Sequence, residues 1–92
     1  MSIDLDKKQI FSTISDMVVY SPKDAKDIFE IITSRGMSRD FSDIFPVIEF
    51  VNKNYVIHPE REYYLQLREC ISNITNDEIR IIFNHALNNI DF

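Results

Sequence analysis

The sequence has few of the residues that tight turns require: its 92 residues include one glycine and three prolines. Hairpin and left-handed turns depend on glycine, so this scarcity favours helices and excludes a glycine-rich phosphate-binding loop. The single cysteine, Cys70, excludes an intrachain disulfide and is typical of a reducing compartment. Folds that depend on tight hairpins, on disulfides or on a glycine-rich nucleotide-binding loop are therefore disfavoured.

Long hydrophobic runs are also missing. The longest apolar stretches, such as Ile44–Ile48, fall far short of the roughly 20 residues that span a membrane. The N-terminus carries Asp4, Asp6 and two lysines where a secretory signal would need apolar residues. The sequence thus predicts a soluble cytoplasmic protein without a membrane partner.

What the chain does contain is enough apolar material for one core. Hydrophobic residues make up 45% of the sequence, with seven Phe and four Tyr, which argues against disorder. A chain of this length cannot build two independent cores. Residues 1–92 are therefore expected to form a single acidic domain.

Negative charge exceeds positive charge. Fifteen Asp and Glu residues face ten Lys and Arg residues, for a formal net charge of −5. Direct binding to nucleic acid or to an anionic membrane is disfavoured, because that affinity comes from cations that displace counterions. An acidic surface suits a basic partner, although −5 also serves plain solubility.

The first two helices are separated by a proline. A residue before proline is pushed out of helical geometry, so the first helix, starting at Ser2 or Asp6, should end before Ser21. Ser21 then caps a second helix that opens at Pro22, and Gly36 suits its left-handed C-cap. The predicted apolar faces are Ile10, Ile14, Met17 and Val18, followed by Ala25, Ile28, Phe29 and Ile32.

The third segment is irregular and apolar. Ser38 or Asp40 would start a turn that Pro46 breaks or restarts as a helix. The residues after Pro46 are apolar on nearly all sides, which indicates either deep burial or contact with a second subunit. The predicted dimer-interface residues are Phe41, Phe45, Val47, Phe50 and Val51. Asn52–Asn54 predict a loop and Tyr55–Ile57 a short extended stretch.

Two further helices complete an all-α bundle of about five short helices, expected to be homodimeric. Pro59 is predicted to open the fourth, and a capping box from Thr75 to Glu78 the fifth. The predicted inward residues are Leu67, Cys70, Ile71 and Ile74, and then Ile79, Ile82, Phe83, Ala86, Leu87 and Ile90.

The sequence offers little for catalysis. His58 and His85 have no second His or Cys at metal-ligand spacing, and Cys70 lies on an inward helical phase with no activating base placed nearby. Adjacent carboxylates such as Asp77 and Glu78 diverge by about 100° on a helix. We therefore expect no enzyme activity, no metal site and no cofactor.

The acidic residues are the more informative set. On the second helix Asp24, Asp27 and Glu30 follow one another at axial steps of ~4.5 Å. Carboxylates on rigid helices can imitate DNA phosphates, which lie ~7 Å apart along a strand. Neighbouring lysines offer ordinary salt pairs, so spacing alone favours a solvated helix face. The predicted partner-binding surface comprises Asp16, Asp24, Asp27, Glu30, Asp40, Asp43, Glu49, Glu60, Glu62, Glu69, Asp77 and Glu78.

The whole chain resembles the anti-restriction nuclease (Arn) proteins of T-even bacteriophages. The resemblance is carried by the opening MSIDLDKKQIFSTISDMVVY, the acidic SPKDAKDIFE segment, the length, and the Ile-, Asn-, Lys- and Asp-rich usage of an AT-rich phage genome. It implies an early protein in the host cytoplasm that protects phage DNA from a McrBC-type restriction endonuclease. As a homodimeric DNA mimic it would occupy the DNA-binding surface of that enzyme or of an H-NS-type nucleoid protein.

Two other functions suit the same residues. A bacterial immunity protein that neutralises a cationic nuclease toxin would also be small, acidic and helical. A dimeric adaptor would depend on the apolar surface around Phe45 and Phe50 rather than on its charges.

Overall fold

The computed structural model describes residues 5–54 and 59–90, and the regular secondary structure of that part of the chain is entirely helical. Ser2, Tyr55–Ile57 and His58, for which the sequence makes predictions, lie outside the described residues. The elements are α1 (Leu5–Tyr20), α2 (Pro22–Ser34), a 3₁₀ helix (Ser38–Ile44), α3 (Phe45–Asn54), α4 (Arg61–Ser72) and α5 (Asp77–Asn88). The all-α prediction with five α-helices is confirmed, whereas the homodimer remains a prediction.

The five helices form a closed ring. Each of α1 to α4 packs against the helix that follows it, and α5 closes the ring by packing against α1. The core inside the ring has large side chains from every α-helix and from the 3₁₀ helix, including Phe11, Phe29, Ile44, Val47, Leu67 and Phe83. Among the described residues, no helix has the length and apolar character needed to cross a bilayer.

The junction of α1 and α2 is stabilised from a distant helix. Pro22 has no N–H to donate to the carbonyl of Val18, four residues earlier. The Tyr63 hydroxyl of α4 donates to this carbonyl at 3.1 Å, and the Tyr64 hydroxyl donates to the carbonyl of Val19 at 3.3 Å. Two tyrosines thus satisfy carbonyls that a helix terminus leaves without helical partners.

Gly36 ends α2 in the way that its position predicts. Its φ is +70°, and the N–H groups of Gly36 and Met37 donate to the carbonyls of Thr33 and Ile32. This pair of bonds is a Schellman motif, which commonly brings an apolar residue beyond the turn against the last helical turn. Beyond the turn, Met37 and then Phe41 of the 3₁₀ helix lie beside residues of α1 and α2.

Several predicted boundaries are wrong. Asn52–Asn54 belong to α3 rather than to a loop, and α4 begins at Arg61, two residues after Pro59. The cap of α5 is Asn76, not Thr75, because the Asn76 side chain accepts the N–H of Ile79 at 3.1 Å. Asparagine is the stronger N-cap residue of the two, so the helix starts one position later.

The buried face of α1 is rotated from the predicted one. Phe11 is buried and contacts Phe41 edge to face, with ring centroids 6.0 Å apart. Ile10, which was expected in the core, is 46% exposed. Four consecutive turns of α1 carry apolar residues on two sides, and only packing decides which side enters the core.

Candidate partner-binding surfaces

The predicted acidic row on α2 is exposed, but its three members differ in their surroundings. Glu30 pairs with Lys26 at 2.7 Å, in an ordinary i, i+4 salt bridge. Asp24 and Asp27 form no ion pair within residues 5–54 and 59–90. Asp24 also lies in the first helical turn, where the helix dipole stabilises an anion. The unneutralised charge of α2 is therefore concentrated at Asp24 and Asp27.

A second group of carboxylates borders the seam between α3 and α4. Glu62 and Glu69 are seven residues apart on one side of α4, or roughly 10.5 Å along the helix axis. Both line a cleft of about 500 Å³ together with Phe50, Leu65, Gln66 and Cys70. The cleft combines two carboxylates with apolar walls and lies on the outside of the ring.

The pKa of the Cys70 thiol reflects the negative charge along the seam between α3 and α4. Partial burial raises the pKa of its thiol, and the nearby carboxylates Glu69 and Glu49 raise it further. Glu49 of α3 is itself bonded to Lys53 at 2.9 Å, and that bond raises the pKa of the lysine. The structure thus places Glu49 and Glu69 near one half-buried thiol, which stays protonated at neutral pH.

The other predicted acidic residues lie elsewhere. Asp77 pairs with Arg80 within α5 at 2.6 Å, and Glu78 pairs with Lys8 of α1 at 3.5 Å, across the contact of α1 and α5. Asp16 of α1 lies in a cleft shared with His85 of α5. Asp40 and Asp43 belong to the 3₁₀ helix, and Glu60 is the N-cap of α4.

Net charge is spread thinly over the described residues. They hold thirteen of the fifteen Asp and Glu residues and all ten Lys and Arg residues, since Asp4 and Asp91 lie outside them. On α1, two acidic residues face two lysines, and on α2 three face two. Any electrostatic recognition must therefore depend on where carboxylates lie without a cation, as at Asp24, Asp27, Glu62 and Glu69.

The sequence patterns did not predict an apolar groove on the surface between α1 and α2. This α1–α2 groove has a volume of about 500 Å³ and is open along one side. Its apolar walls are formed by Ile10, Ile14, Met17, Ile28, Ile31, Ile32, Met37 and Phe41, and Asp6, Gln9 and Thr13 also line it. One signal was present: Ile31 and Ile32 are adjacent, so a helix cannot turn both toward the same core.

The predicted dimer-interface residues divide into two sets. Val47 and Val51 are completely buried and Phe50 is 7% exposed, so the chain itself covers all three. Of the two alternatives, deep burial and contact with a second subunit, burial is correct for these three residues. None of them offers a surface to a second subunit. Phe41 is half-buried against Phe11, and only Phe45, at 55% exposure, projects into solvent.

The groups that might have supported catalysis are dispersed. His85 is exposed on α5, and Cys70 is half-buried on α4 rather than fully inside the core. Across residues 5–54 and 59–90, no three His, Cys, Asp or Glu side chains are placed to hold a metal ion. The expectation of a non-enzyme stays a prediction.

Comparison of the chain with protein-family models, curated proteins and solved structures gives no match. The surfaces themselves are therefore the basis for a functional proposal.

Proposed function

We propose that this chain is a non-catalytic DNA mimic that binds the cationic DNA-binding surface of a host protein. The observation that supports it is a set of exposed carboxylates on rigid helices with no ion pair in the described structure: Asp24 and Asp27 on α2, and Glu62 and Glu69 on α4. Because helices hold these groups at set intervals, they meet a row of cations without the ordering cost of a flexible tail.

The inhibition would be competitive. Lysine and arginine side chains that normally contact phosphates would contact these carboxylates instead, and duplex DNA could not occupy the same surface. Steering by opposite charge would speed association at low salt and weaken as salt increases. The chain would protect phage DNA without binding nucleic acid directly.

The partner class follows from the resemblance to phage anti-restriction proteins. It implies a McrBC-type restriction endonuclease in the host cytoplasm, with H-NS-type nucleoid proteins as further targets. A homodimer would double the formal charge of −5 and repeat the same carboxylates by symmetry. Each of these points is part of the proposal.

The test is competition between the chain and a labelled DNA duplex for purified McrBC-type enzyme. A variant with Asp24→Asn, Asp27→Asn, Glu62→Gln and Glu69→Gln should compete at least about tenfold less well and with a flatter salt dependence. Asp77→Asn is the control, because the Asp77 carboxylate is already paired with Arg80 at 2.6 Å, and it should compete like the parent. Equal competition by parent and quadruple variant at low salt would refute the proposal.

A cationic nuclease toxin is the competing partner, because the same carboxylates would suit it. Under that function the quadruple variant would lose affinity for a co-encoded toxin, whereas the parent would have none for restriction or nucleoid proteins. Binding measurements against the two partner classes therefore separate the two functions.

A further inference from the structure

We propose that the α1–α2 groove binds an amphipathic helix of the partner protein, with an apolar face bordered by Lys and Arg. The inference rests on the proposed function in one respect: it assumes the same basic partner. The groove and the carboxylates of α4 are separate surfaces, however, so the two proposals can fail independently.

The shape of the groove suits a helix. Its wall on α1 extends from Asp6 to Met17, which corresponds to roughly 17 Å, or three helical turns. Ile10 and Ile31 are 46% and 47% exposed on opposite sides, and Met37 is 39% exposed at one end. A helix of about twelve residues would place apolar side chains at i, i+3, i+4 and i+7 between these walls.

Charge along the edges indicates which helix would fit. Asp6 lines the groove on the α1 side. On α2, Asp24 and Asp27 lie four residues before Ile28 and Ile31, and therefore on the same side of the helix as these groove residues. An apolar floor between carboxylates favours an apolar face with cations on both flanks.

The end of the groove near Met37 carries charge of both signs. Arg35 and Arg39 flank Met37 in the sequence, Asp40 follows Arg39, and Asp6 of α1 lines the groove. The cations of the bound helix are therefore expected beside Asp24 and Asp27, which form no ion pair among the described residues.

The same charges argue against a second copy of this chain as the occupant. Two copies face to face would bring the carboxylates of both edges together, and each copy has a formal charge of −5. The groove is also open along its length, whereas small-molecule sites bury most of their ligand. A basic helix would be attracted to the carboxylates at the edges, and it is long enough to occupy an open groove.

The test uses the full-length chain and three labelled 16-residue peptides in fluorescence anisotropy. The first has Leu at i, i+3, i+4 and i+7 positions flanked by Lys, the second replaces Lys with Glu, and the third keeps the Lys content but disperses the Leu residues. The first peptide should bind at least about tenfold more tightly than either of the others.

Groove variants locate the binding. Ile10→Ser with Ile31→Ser should weaken binding of the first peptide at least about tenfold, because two half-exposed anchors lose their apolar contacts. Ile81→Ser is the matched control, since Ile81 is 63% exposed on α5 outside the groove. Far-ultraviolet circular dichroism and thermal unfolding of each variant verify that its fold is retained.

Each outcome has a definite meaning. Unchanged binding in the double variant, or equal binding of the three peptides, would overturn the groove proposal. A concentration-dependent dimer that the double variant dissolves would replace the basic helix with a second copy. Loss of DNA competition in Glu62→Gln with Glu69→Gln, with peptide binding intact, would support the proposed function independently of the groove.

Discussion

Two apolar regions of this molecule differ in how far the rest of the chain covers them. The segment 41–51 is apolar on nearly all sides in the sequence, yet the ring of helices encloses Val47, Phe50 and Val51. The pair α1 and α2 has ordinary amphipathic spacing, yet it leaves Ile10 and Ile31 half-exposed along a groove. Apolar content therefore does not indicate by itself which surface remains for a partner.

The number of neighbouring elements explains the difference. Helix α3 packs between α2 and α4 and follows directly from the 3₁₀ helix, so most of its sides are covered. Helix α1 packs against α2 and α5, and the side that carries Ile10 and Met17 borders the open groove. A short chain cannot cover every apolar side, and the uncovered one becomes available for binding.

The largest predicted effect tests the buried region. Phe50→Ala should lower the free energy of unfolding by about 3–5 kcal/mol, because it opens a cavity beside Tyr63, whose ring centroid is 5.2 Å away. Chemical denaturation measures this change. Phe45→Ala is the control and should change stability by less than about 1 kcal/mol, since Phe45 is exposed. Comparable losses would mean that Phe45 is also covered, as in a dimer.

Alkaline pH should lower the free energy of unfolding through Tyr63, which lies in the same buried region. Burial raises the pKa of Tyr63 above its ordinary value of 10.0, so the folded state resists ionisation of this hydroxyl. Unfolding releases that proton, and stability falls as the pH rises above about 10, by up to about 1.4 kcal/mol per pH unit. Denaturation at pH 8 to 11 measures the decline, which should be shallower in Tyr63→Phe. Identical slopes would contradict the assignment.

An intermediate effect is expected at the turn that connects the two regions. Gly36→Ala should destabilise the fold by about 1 kcal/mol, because a φ of +70° strains any residue with a Cβ. Beyond Gly36 and its two chain neighbours, no atom lies within 4 Å of the added Cβ, so the cost is local backbone strain and not a clash with the rest of the fold. Arg35→Ala, at a φ of −92°, is the control. Thermal unfolding that shows no difference between the two variants would contradict this explanation.

The smallest effect on stability is expected in the groove. Ile31→Ala should alter the free energy of unfolding by less than about 1 kcal/mol, because the side chain is already half-exposed. Ile32→Ala, at the adjacent position, should cost about 2–4 kcal/mol, since Ile32 is 5% exposed. Parallel denaturation curves compare the two. A larger loss at Ile31 than at Ile32 would reverse the proposed orientation of α2.

Sequence patterns predicted the helical class and much of its segmentation. The end of α1 before Ser21, the start of α2 at Pro22 and the left-handed turn at Gly36 are all confirmed. Proline and glycine act through their own backbone restrictions, so their effects can be read locally. The cap of α5 was misplaced by one residue because Thr75 and Asn76 are both good N-caps, and the difference between them is small.

The candidate surfaces were less predictable. The exposure of Asp24 and Asp27 follows from the period of α2, but the approach of Glu49 to Cys70 depends on α3 packing against α4. The groove was not predicted, because the helical period places Ile10, Met17 and Ile28 all on the core side of their helices. A helical period identifies an apolar side and cannot count the helices that will cover it.

The sequence by itself determined an acidic, helical, single-cysteine chain and the residues at which its first helices end, because composition and backbone restrictions are local properties. Only the tertiary structure decided that Val47, Phe50 and Val51 belong to the core while Ile10 and Ile31 border an open groove. It also placed the Tyr63 hydroxyl on the carbonyl that Pro22 leaves without a donor. Those outcomes depend on which distant helices meet, and that is settled when the ring of helices closes.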